Sequence, residues 1–96
     1  MYVILLRFSD NRGQAGQFMD GHNAWLARGF DDGVFLLAGS LPPGQGGGIV
    51  AHNTTLDALE ARINQDPFVV ENVVRADITE LAPGRAAPGL EFLLSD

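Results

Sequence analysis

The sequence predicts an α+β fold of the ferredoxin-like kind, in which two helices cover one face of a four-stranded antiparallel sheet. The length of 96 residues is that of one small domain. Apolar residues make up 46% of the chain and charged residues 19%, which is typical of a globular protein. Apolar periodicity along the chain follows the order strand, helix, strand, strand, helix, strand, and this order predicts the fold.

The first half of the chain supplies a strand, a helix and a second strand. The segment YVILLRF, residues 2–8, is apolar on both of its alternating faces, which predicts an interior strand. A helix is predicted from about residue 14 to 31, because apolar residues recur there at spacings of three and four. The members of this stripe are Ala15, Phe18, Met19, His22, Trp25, Leu26, Gly29 and Phe30. The short apolar run VFLLA, residues 34–38, predicts a second strand buried on both faces.

The second half begins with a connection rich in glycine and proline. The stretch GSLPPGQGGG, residues 39–48, predicts a flexible hairpin connection that can border a ligand site. It leads into a third strand, GIVAH, residues 48–52. Thr54 with Asp57 resembles a weak capping box, which predicts a second helix that ends near Gln65.

A short helical turn, a fourth strand and a tail complete the chain. Asp66 is placed to cap a helical turn whose first residue is Pro67. From about Asn72, apolar and polar residues alternate, which predicts a strand with one covered face. Residues 1–81 therefore form the predicted domain. Residues 82–96 form a C-terminal tail that we expect to pack on the domain or on a second copy.

Composition limits the expected partners and compartment. The chain has 12 acidic and 6 basic residues, a net charge of −6 that repels nucleic acid and anionic lipid, so neither is expected as a partner. The chain has no cysteine, which excludes disulfides and thiolate metal sites. No apolar run approaches the roughly 18 residues that cross a bilayer, and the N-terminus lacks signal-peptide features. We therefore expect a cytoplasmic protein.

The apolar character of the first two strands also predicts an assembly. Helices can cover only one face of the sheet, and both faces of these strands are apolar. We expect two copies to pack sheet against sheet and close into a dimeric α+β barrel, so that the protein is a homodimer or a higher oligomer. A chain of this size gains stability from such an association.

His22 is the first candidate for chemistry. It lies within about 40° of Ala15, Phe18 and Leu26 on the helical projection and therefore points inward. It is either a core histidine satisfied by a backbone carbonyl or a general acid/base at the mouth of a pocket. Asp66 is its best partner, because it follows the second helix and the two helices lie side by side, although capping alone also explains an aspartate there. A His–Asp pair fixes the imidazole tautomer and can move a proton near neutral pH.

Other candidates are weaker. Trp25 could line a pocket, although an aromatic residue at helical spacing is usually core. Gly39 and Ser40 follow the second strand and could contact a ligand or serve in a turn. His52 is expected to face solvent. The histidines and aspartates lack helical metal-ligand spacing, so we predict no metal site. GQGGG lacks the lysine of a P-loop, and we expect no cofactor.

The motifs HNAWL, DDGVFLLAGSLP, GGGIVAH and DPFVVENVV together resemble the YciI-like (YCII-related) family of the dimeric α+β barrel superfamily. The resemblance covers roughly residues 1–81. It implies a ferredoxin-like dimer with a site built from a helix histidine and the aspartate of a DP-aromatic motif, here His22 and Asp66. The chain departs from the family pattern at Ser40, where many members have proline. The glycine that often follows the DP-aromatic motif is also absent.

These observations favour a small cofactor-free enzyme, in which His22, oriented by Asp66, moves a proton on a small organic substrate such as a lactone or a ring-derived acid. The reaction type would be that of an isomerase or a lyase. The alternative is a non-catalytic module that binds a small metabolite or serves as an accessory subunit. A purely structural dimer would require that His22 lie out of reach of any cavity.

Overall fold

The computed structural model describes residues 1–95. Its strands are β1 (Tyr2–Phe8), β2 (Phe35–Leu41), β3 (Gly46–Ala51) and β4 (Val74–Glu80). Its α-helices are α1 (Ala15–Asp31), α2 (Leu56–Ile63) and the short α3 (Pro67–Val70). A 3₁₀ turn precedes α1 at Arg12–Gln14, and another ends the described chain at Glu91–Ser95. Among these residues, none of the helices combines the length and the hydropathy that crossing a bilayer requires.

The four strands form one antiparallel sheet in the order β2-β3-β1-β4. This order, with the helices in the two crossover connections, is the ferredoxin-like α+β arrangement that the sequence predicts. The interior position predicted for β1 is confirmed, since β1 pairs with β3 on one side and β4 on the other. On the face towards the core, Ile4 and Leu6 are buried at 0% and 3% exposure.

β2 differs from its prediction in both burial and length. It is an edge strand, and Leu37 is 58% exposed, so the expected burial on both faces is wrong for the single chain. It also continues beyond the predicted end, because Gly39 and Ser40 pair with glycines of β3. β3 correspondingly begins earlier than predicted, at Gly46. The connection between the two strands is therefore only residues 42–45, and the predicted loop is largely a paired ribbon.

α1 approaches the sheet closely because one of its core-facing residues is glycine. A Cβ atom built on Gly29 would lie 2.1 Å from a ring carbon of Phe35. One turn earlier, Trp25 packs edge-on against the same Phe35 ring with a centroid distance of 5.2 Å. Gly29 thus sets a short distance between α1 and β2. This distance positions the side chains nearer the start of α1, Trp25 among them.

α2 begins one residue later than the predicted capping box requires. Its N-cap is Thr55, whose side-chain oxygen accepts a hydrogen bond from the Ala58 N–H at 3.2 Å. The predicted box, which began at Thr54, is therefore wrong. Thr55 has the extended backbone that a cap needs and directly precedes Leu56, the first helical residue.

The face of the sheet opposite the helices is apolar across β2, β3 and the first part of β1 but polar along β4, and it is only partly covered. The register places Leu37, Val50 and Val3 side by side across β2, β3 and β1. Leu5 follows on the same face of β1, because side chains alternate along a strand. We call Val3, Leu5, Leu37 and Val50 the open face. Val3, Leu5 and Val50 are half-buried, in contrast to the buried residues that alternate with them in β1 and β3.

The described part of the tail crosses one end of the sheet. Met1 and Leu81 exchange backbone hydrogen bonds of 3.0 and 2.9 Å, which tie the start of the tail to the N-terminus. Further along, Leu93 is buried, and the Phe92 ring meets the ring of His52 edge-on with a centroid distance of 5.6 Å. His52 is therefore half-buried beneath the tail instead of facing solvent.

Candidate functional site

His22 and Asp66 are joined by a hydrogen bond of 2.8 Å between Nδ1 and Oδ1. α1 carries the histidine, and the short link between α2 and α3 carries the aspartate. The Asp66 side chain is 0% exposed and the His22 side chain 12%. The structure thus places a buried carboxylate directly behind an imidazole that solvent can still reach.

Asp66 is fixed by the start of α3 as well as by the histidine. Its Oδ1 also accepts the backbone N–H of Phe68 at 3.0 Å, while Pro67 occupies the first helical position, where no N–H is needed. A carboxylate oxygen only accepts hydrogen bonds. We therefore assign Nδ1 of His22 as the second donor to this oxygen. Nε2 is then the ring nitrogen that accepts protons.

The second carboxylate oxygen has a different environment. Oδ2 of Asp66 is buried and has no hydrogen-bond partner among residues 1–95. A buried polar atom without a partner costs free energy. Asp66 therefore carries a cost at Oδ2, which the two hydrogen bonds accepted by Oδ1 offset at least in part.

Two aromatic rings fix the plane of the imidazole. Phe68 lies parallel to His22 with a centroid distance of 4.0 Å, and Trp25 lies at 5.8 Å with an interplanar angle of 30°. Trp25 is 1% exposed, and its indole N–H donates to the Arg62 carbonyl at 2.9 Å. Trp25, which the sequence leaves open between a pocket position and a core position, lies in the core behind the histidine and not in the wall of the cavity described next.

A cavity of about 340 Å³ opens beside His22, between α1 and the β2–β3 hairpin. Its wall includes His22, Asn23, Gly39, Ser40, Gly47 and Phe68. The predicted ligand-contacting residues Gly39 and Ser40 therefore line the same cavity as the histidine. A larger surface hollow of about 640 Å³, lined by Arg7 and Arg75 among others, includes neither His22 nor Asp66.

The β2–β3 hairpin leaves room for this cavity, because its residues there have a small side chain or none. Ser40 pairs with Gly47, which in turn pairs with Leu6, so all three lie in one row on the helix-facing side of the sheet. A Cβ atom built on Gly47 would meet only the Gly39 carbonyl oxygen, at 3.1 Å. Because Gly47 has no side chain, the hairpin leaves room on this side for the cavity that His22 also lines.

Sequence reasoning did not select two residues of the site, Asn23 and Phe68. Asn23 follows the histidine on α1 and lies at the rim of the cavity, where its exposed amide can reach a ligand. Asn23 is not part of the apolar stripe of α1, because it lies about 100° from His22 on the helical projection. Phe68 was part of the DPF segment, but its contact with His22 joins positions 46 apart by helix packing, which no local pattern reveals.

The part of the chain that the structure describes contains no group of three or more histidine, aspartate or glutamate side chains placed to hold a metal ion. The polar groups of the cavity wall are instead an imidazole, a carboxamide and a hydroxyl, from His22, Asn23 and Ser40. Such groups can exchange protons with a small organic molecule and can form hydrogen bonds to it.

The fold defines the class as a ferredoxin-like α+β protein. The solved structure of 5-chloro-2-hydroxyhydroquinone dehydrochlorinase from Burkholderia phenoliruptrix AC1100, in complex with 2,5-dihydroxybenzoquinone, is similar with a TM-score of 0.69. The match covers 88% of this chain and 96% of that chain at 12% sequence identity, so the likeness is one of fold. No protein-family model and no curated protein matches the sequence.

Proposed function

We propose that the chain is a small acid/base enzyme of the isomerase or lyase type, in which His22 transfers a proton and Asp66 orients it. The observation that carries the proposal is the 2.8 Å bond between the buried Asp66 carboxylate and Nδ1 of His22, on the wall of a cavity. This bond leaves Nε2 to exchange a proton with a ligand. The cavity, at about 340 Å³, is of a size that holds a small molecule.

The proposed reaction begins when Nε2 of His22 removes a proton from carbon or oxygen of the substrate. The bond to hydrogen breaks, its electron pair stays on the substrate as an enolate or phenolate, and an N–H bond forms on the imidazole. Asp66 stabilises the resulting imidazolium. The imidazolium then returns the proton at another atom, which gives an isomer. Alternatively, the electron pair forms a new double bond while the bond to a departing group breaks, and the imidazolium protonates that group, which gives an elimination product.

The comparison supports a ring-derived substrate. The protein of similar fold is named as a dehydrochlorinase of a chlorinated hydroxyhydroquinone, and its structure holds a dihydroxybenzoquinone. Loss of hydrogen chloride is an elimination, which needs proton transfer of the kind that a histidine supplies. The motif resemblance to the YciI-like family points in the same direction, and we include that family assignment in the proposal.

Proton exchange with deuterated solvent tests the enzyme directly. The purified protein is incubated in D₂O with small lactones and hydroxylated rings, and NMR follows both deuterium uptake and conversion. We expect exchange or conversion that falls by at least about 100-fold in His22→Ala. His52→Ala is the matched control, because His52 lies under the tail and does not line the cavity.

The alternative is a binding module that uses the same cavity without turnover. It predicts that ligands shift the NMR resonances of cavity residues, while neither the natural chain nor His22→Ala exchanges or converts any of them. That result would contradict the enzyme and leave the module. Ligand-dependent proton exchange that requires His22 would exclude the binding module.

We also propose that the protein is a homodimer in which a second copy covers the open face. The support is the apolar row of Leu37, Val50 and Val3, together with the 58% exposure of Leu37. A 96-residue chain buries a limited core, and covering this face would add to it. Packing two such faces together gives the dimeric α+β barrel expected from the sequence.

A further inference from the structure

The cavity beside His22 offers hydrogen bonds but no basic side chain. Its polar lining consists of His22, Asn23 and Ser40, and its remaining lining is apolar or glycine. All six basic residues of the chain are arginines within the described part, and none of them lines this cavity. Arg12 lies over the ring of Phe8, a cavity residue, but its guanidinium donates to the Gly44 carbonyl at 2.8 Å.

The fixed charge nearest to the imidazole is negative. Asp66 is 0% exposed and lies 2.8 Å from Nδ1 of His22. A ligand carboxylate in this cavity would lose water without gaining a cation, and it would be repelled by Asp66. Protonation of His22 does not supply a free cation, because Asp66 neutralises the imidazolium at hydrogen-bonding distance. An uncharged ligand avoids both costs.

We infer that the cavity selects uncharged oxygenated rings, such as hydroxylated rings or lactones, over ring carboxylates. The inference rests on the proposed function, because it concerns the ligand of the same cavity. Ser40 on β2 and Asn23 on α1 stand on the sheet wall and the helix wall, where each can hydrogen-bond one oxygen of the ring. The apolar body of the ring packs against Leu6 and Leu26.

The same charge distribution suits the proposed proton transfer. A neutral substrate enters without a desolvated charge, and its negative charge develops only when the proton moves to Nε2 of His22. The imidazolium forms in the same step, so substrate anion and protein cation appear together. Hydrogen bonds from Ser40 and Asn23 then strengthen as the ring oxygen becomes anionic. A carboxylate lacks this advantage, because its charge is present at binding.

A comparison of the affinities of two matched ring compounds tests the inference. The probes are benzene-1,4-diol and 4-hydroxybenzoate, which share a ring and one hydroxyl and differ in the group opposite. Binding is measured from NMR shifts of the cavity residues. We expect the natural protein to bind the diol at least about tenfold more tightly than the carboxylate. An equal or tighter affinity for the carboxylate would overturn the inference.

Substitution at Ser40 provides the second arm, since Ser40 is exposed on an edge strand and tolerates a longer side chain. Ser40→Ala should weaken diol binding several-fold, because it removes one hydrogen bond. Ser40→Arg should reverse the preference, because it brings a cation to the wall. A ratio of affinities that stays the same in Ser40→Arg counts against the inference, since charge would then not decide selection.

The outcomes separate this inference from the proposed function. A preference for the carboxylate together with proton exchange that requires His22 overturns the selectivity and leaves the enzyme. A preference for the diol without any proton exchange supports the selectivity and overturns the enzyme. If neither ring shifts the resonances of the cavity residues, the selectivity fails, and proton exchange with the lactones alone decides the enzyme.

Discussion

The imidazole of His22 lies flat against the phenyl ring of Phe68, with centroids 4.0 Å apart and planes 6° apart. Phe68 also donates its backbone N–H to Oδ1 of Asp66, the atom that accepts from Nδ1 of His22. One residue of α3 therefore holds the histidine twice, directly through its ring and indirectly through the aspartate. The orientation of the proposed catalytic base depends on a helix of only 4 residues.

Phe68→Leu should separate these two contacts. Leucine keeps the backbone N–H and much of the apolar volume but lacks the flat ring. We expect a loss of about 1–2 kcal/mol in the free energy of unfolding, because Phe68 is 6% exposed. Proton exchange should fall by about tenfold as the imidazole loses its fixed plane. Urea unfolding and deuterium uptake measure the two effects.

The control for this substitution is Phe30→Leu, in the last turn of α1, where the side chain is 43% exposed. It should change stability by less than about 1 kcal/mol and leave proton exchange unchanged. Unaltered exchange in Phe68→Leu, with the expected loss of stability, would show that the Phe68 ring only fills the core.

Asp66→Ala should destabilise the fold more than removal of an ordinary helix cap. Thr55→Ala removes only the cap of α2, which is worth about 1 kcal/mol. Asp66→Ala removes the cap of α3 and leaves Nδ1 of His22 without its acceptor, so we expect a loss of about 2–4 kcal/mol. Chemical denaturation of both variants gives the comparison. Equal losses would mean that the bond to His22 adds no stability.

Asp66→Asn separates charge from hydrogen bonding. An amide oxygen can still accept from His22 and from the Phe68 N–H, so stability should fall less than in Asp66→Ala. Proton exchange should nevertheless decline, because a neutral amide does not stabilise the imidazolium. The tautomer of His22, read from ¹⁵N NMR of the imidazole, should remain the one with hydrogen on Nδ1. A dominant Nε2–H tautomer in the natural protein would contradict the assigned network.

Gly29→Ala should destabilise the protein although alanine favours helices. Alanine improves helix propensity by about 1 kcal/mol, but its Cβ would lie 2.1 Å from the Phe35 ring. Relief of that overlap costs typically about 1–3 kcal/mol and here should exceed the gain. Gly16→Ala is the matched control in the same helix, because nothing lies within 4 Å of its Cβ. Thermal unfolding should shift down for the first variant and slightly up for the second.

Leu37→Glu should prevent the proposed dimer without unfolding the chain. Leu37 is 58% exposed in a single copy, so glutamate fits there, but a charge buried between two open faces is costly. Sedimentation analysis should show a dimer for the natural protein and a monomer for this variant. Val70→Glu is the control, since Val70 is 59% exposed on α3 and should leave the dimer intact. A monomeric natural protein would exclude the assembly.

Gly47→Ala should reduce ligand affinity and leave His22 and Asp66 unchanged. The added methyl group enters the cavity beside Ser40, where only the Gly39 carbonyl oxygen is within 4 Å. We expect diol binding to weaken by about tenfold, with the ¹⁵N signature of His22 unchanged. Gly84→Ala in the tail is the control, because its Cβ meets nothing. Undiminished binding would show that the ligand lies elsewhere.

Much of the fold and of the candidate site could be predicted, because the sequence patterns that indicate them are local. The alternation of Tyr2–Phe8 and the helical stripe of residues 15–31 define an interior strand and the helix packed on it. His22 stood out as the polar residue in an apolar stripe, and Asp66 as a cap before proline. These two positions could be compared because the ferredoxin-like fold places its helices side by side.

What could not be predicted depends on contacts between distant segments. The extension of β2 through Ser40 requires the glycines of β3 opposite it, and glycine and serine have low strand propensity on their own. Trp25 shares the stripe of His22, yet the approach of Phe35 places it in the core instead of the cavity. The stack of Phe68 on His22 follows from the packing of α3 on α1, which sequence periodicity does not encode.

The hairpin that shapes the cavity and the residues proposed to transfer the proton belong to separate stretches of chain. Gly39, Ser40 and Gly47 come from β2 and β3, whereas His22 and Asp66 come from α1 and the start of α3. A directed-evolution library confined to those three hairpin positions would therefore vary the wall of the cavity while His22 and Asp66 stay unchanged. The shape of the cavity can in this way be redesigned without any change to the two residues for which we propose proton transfer.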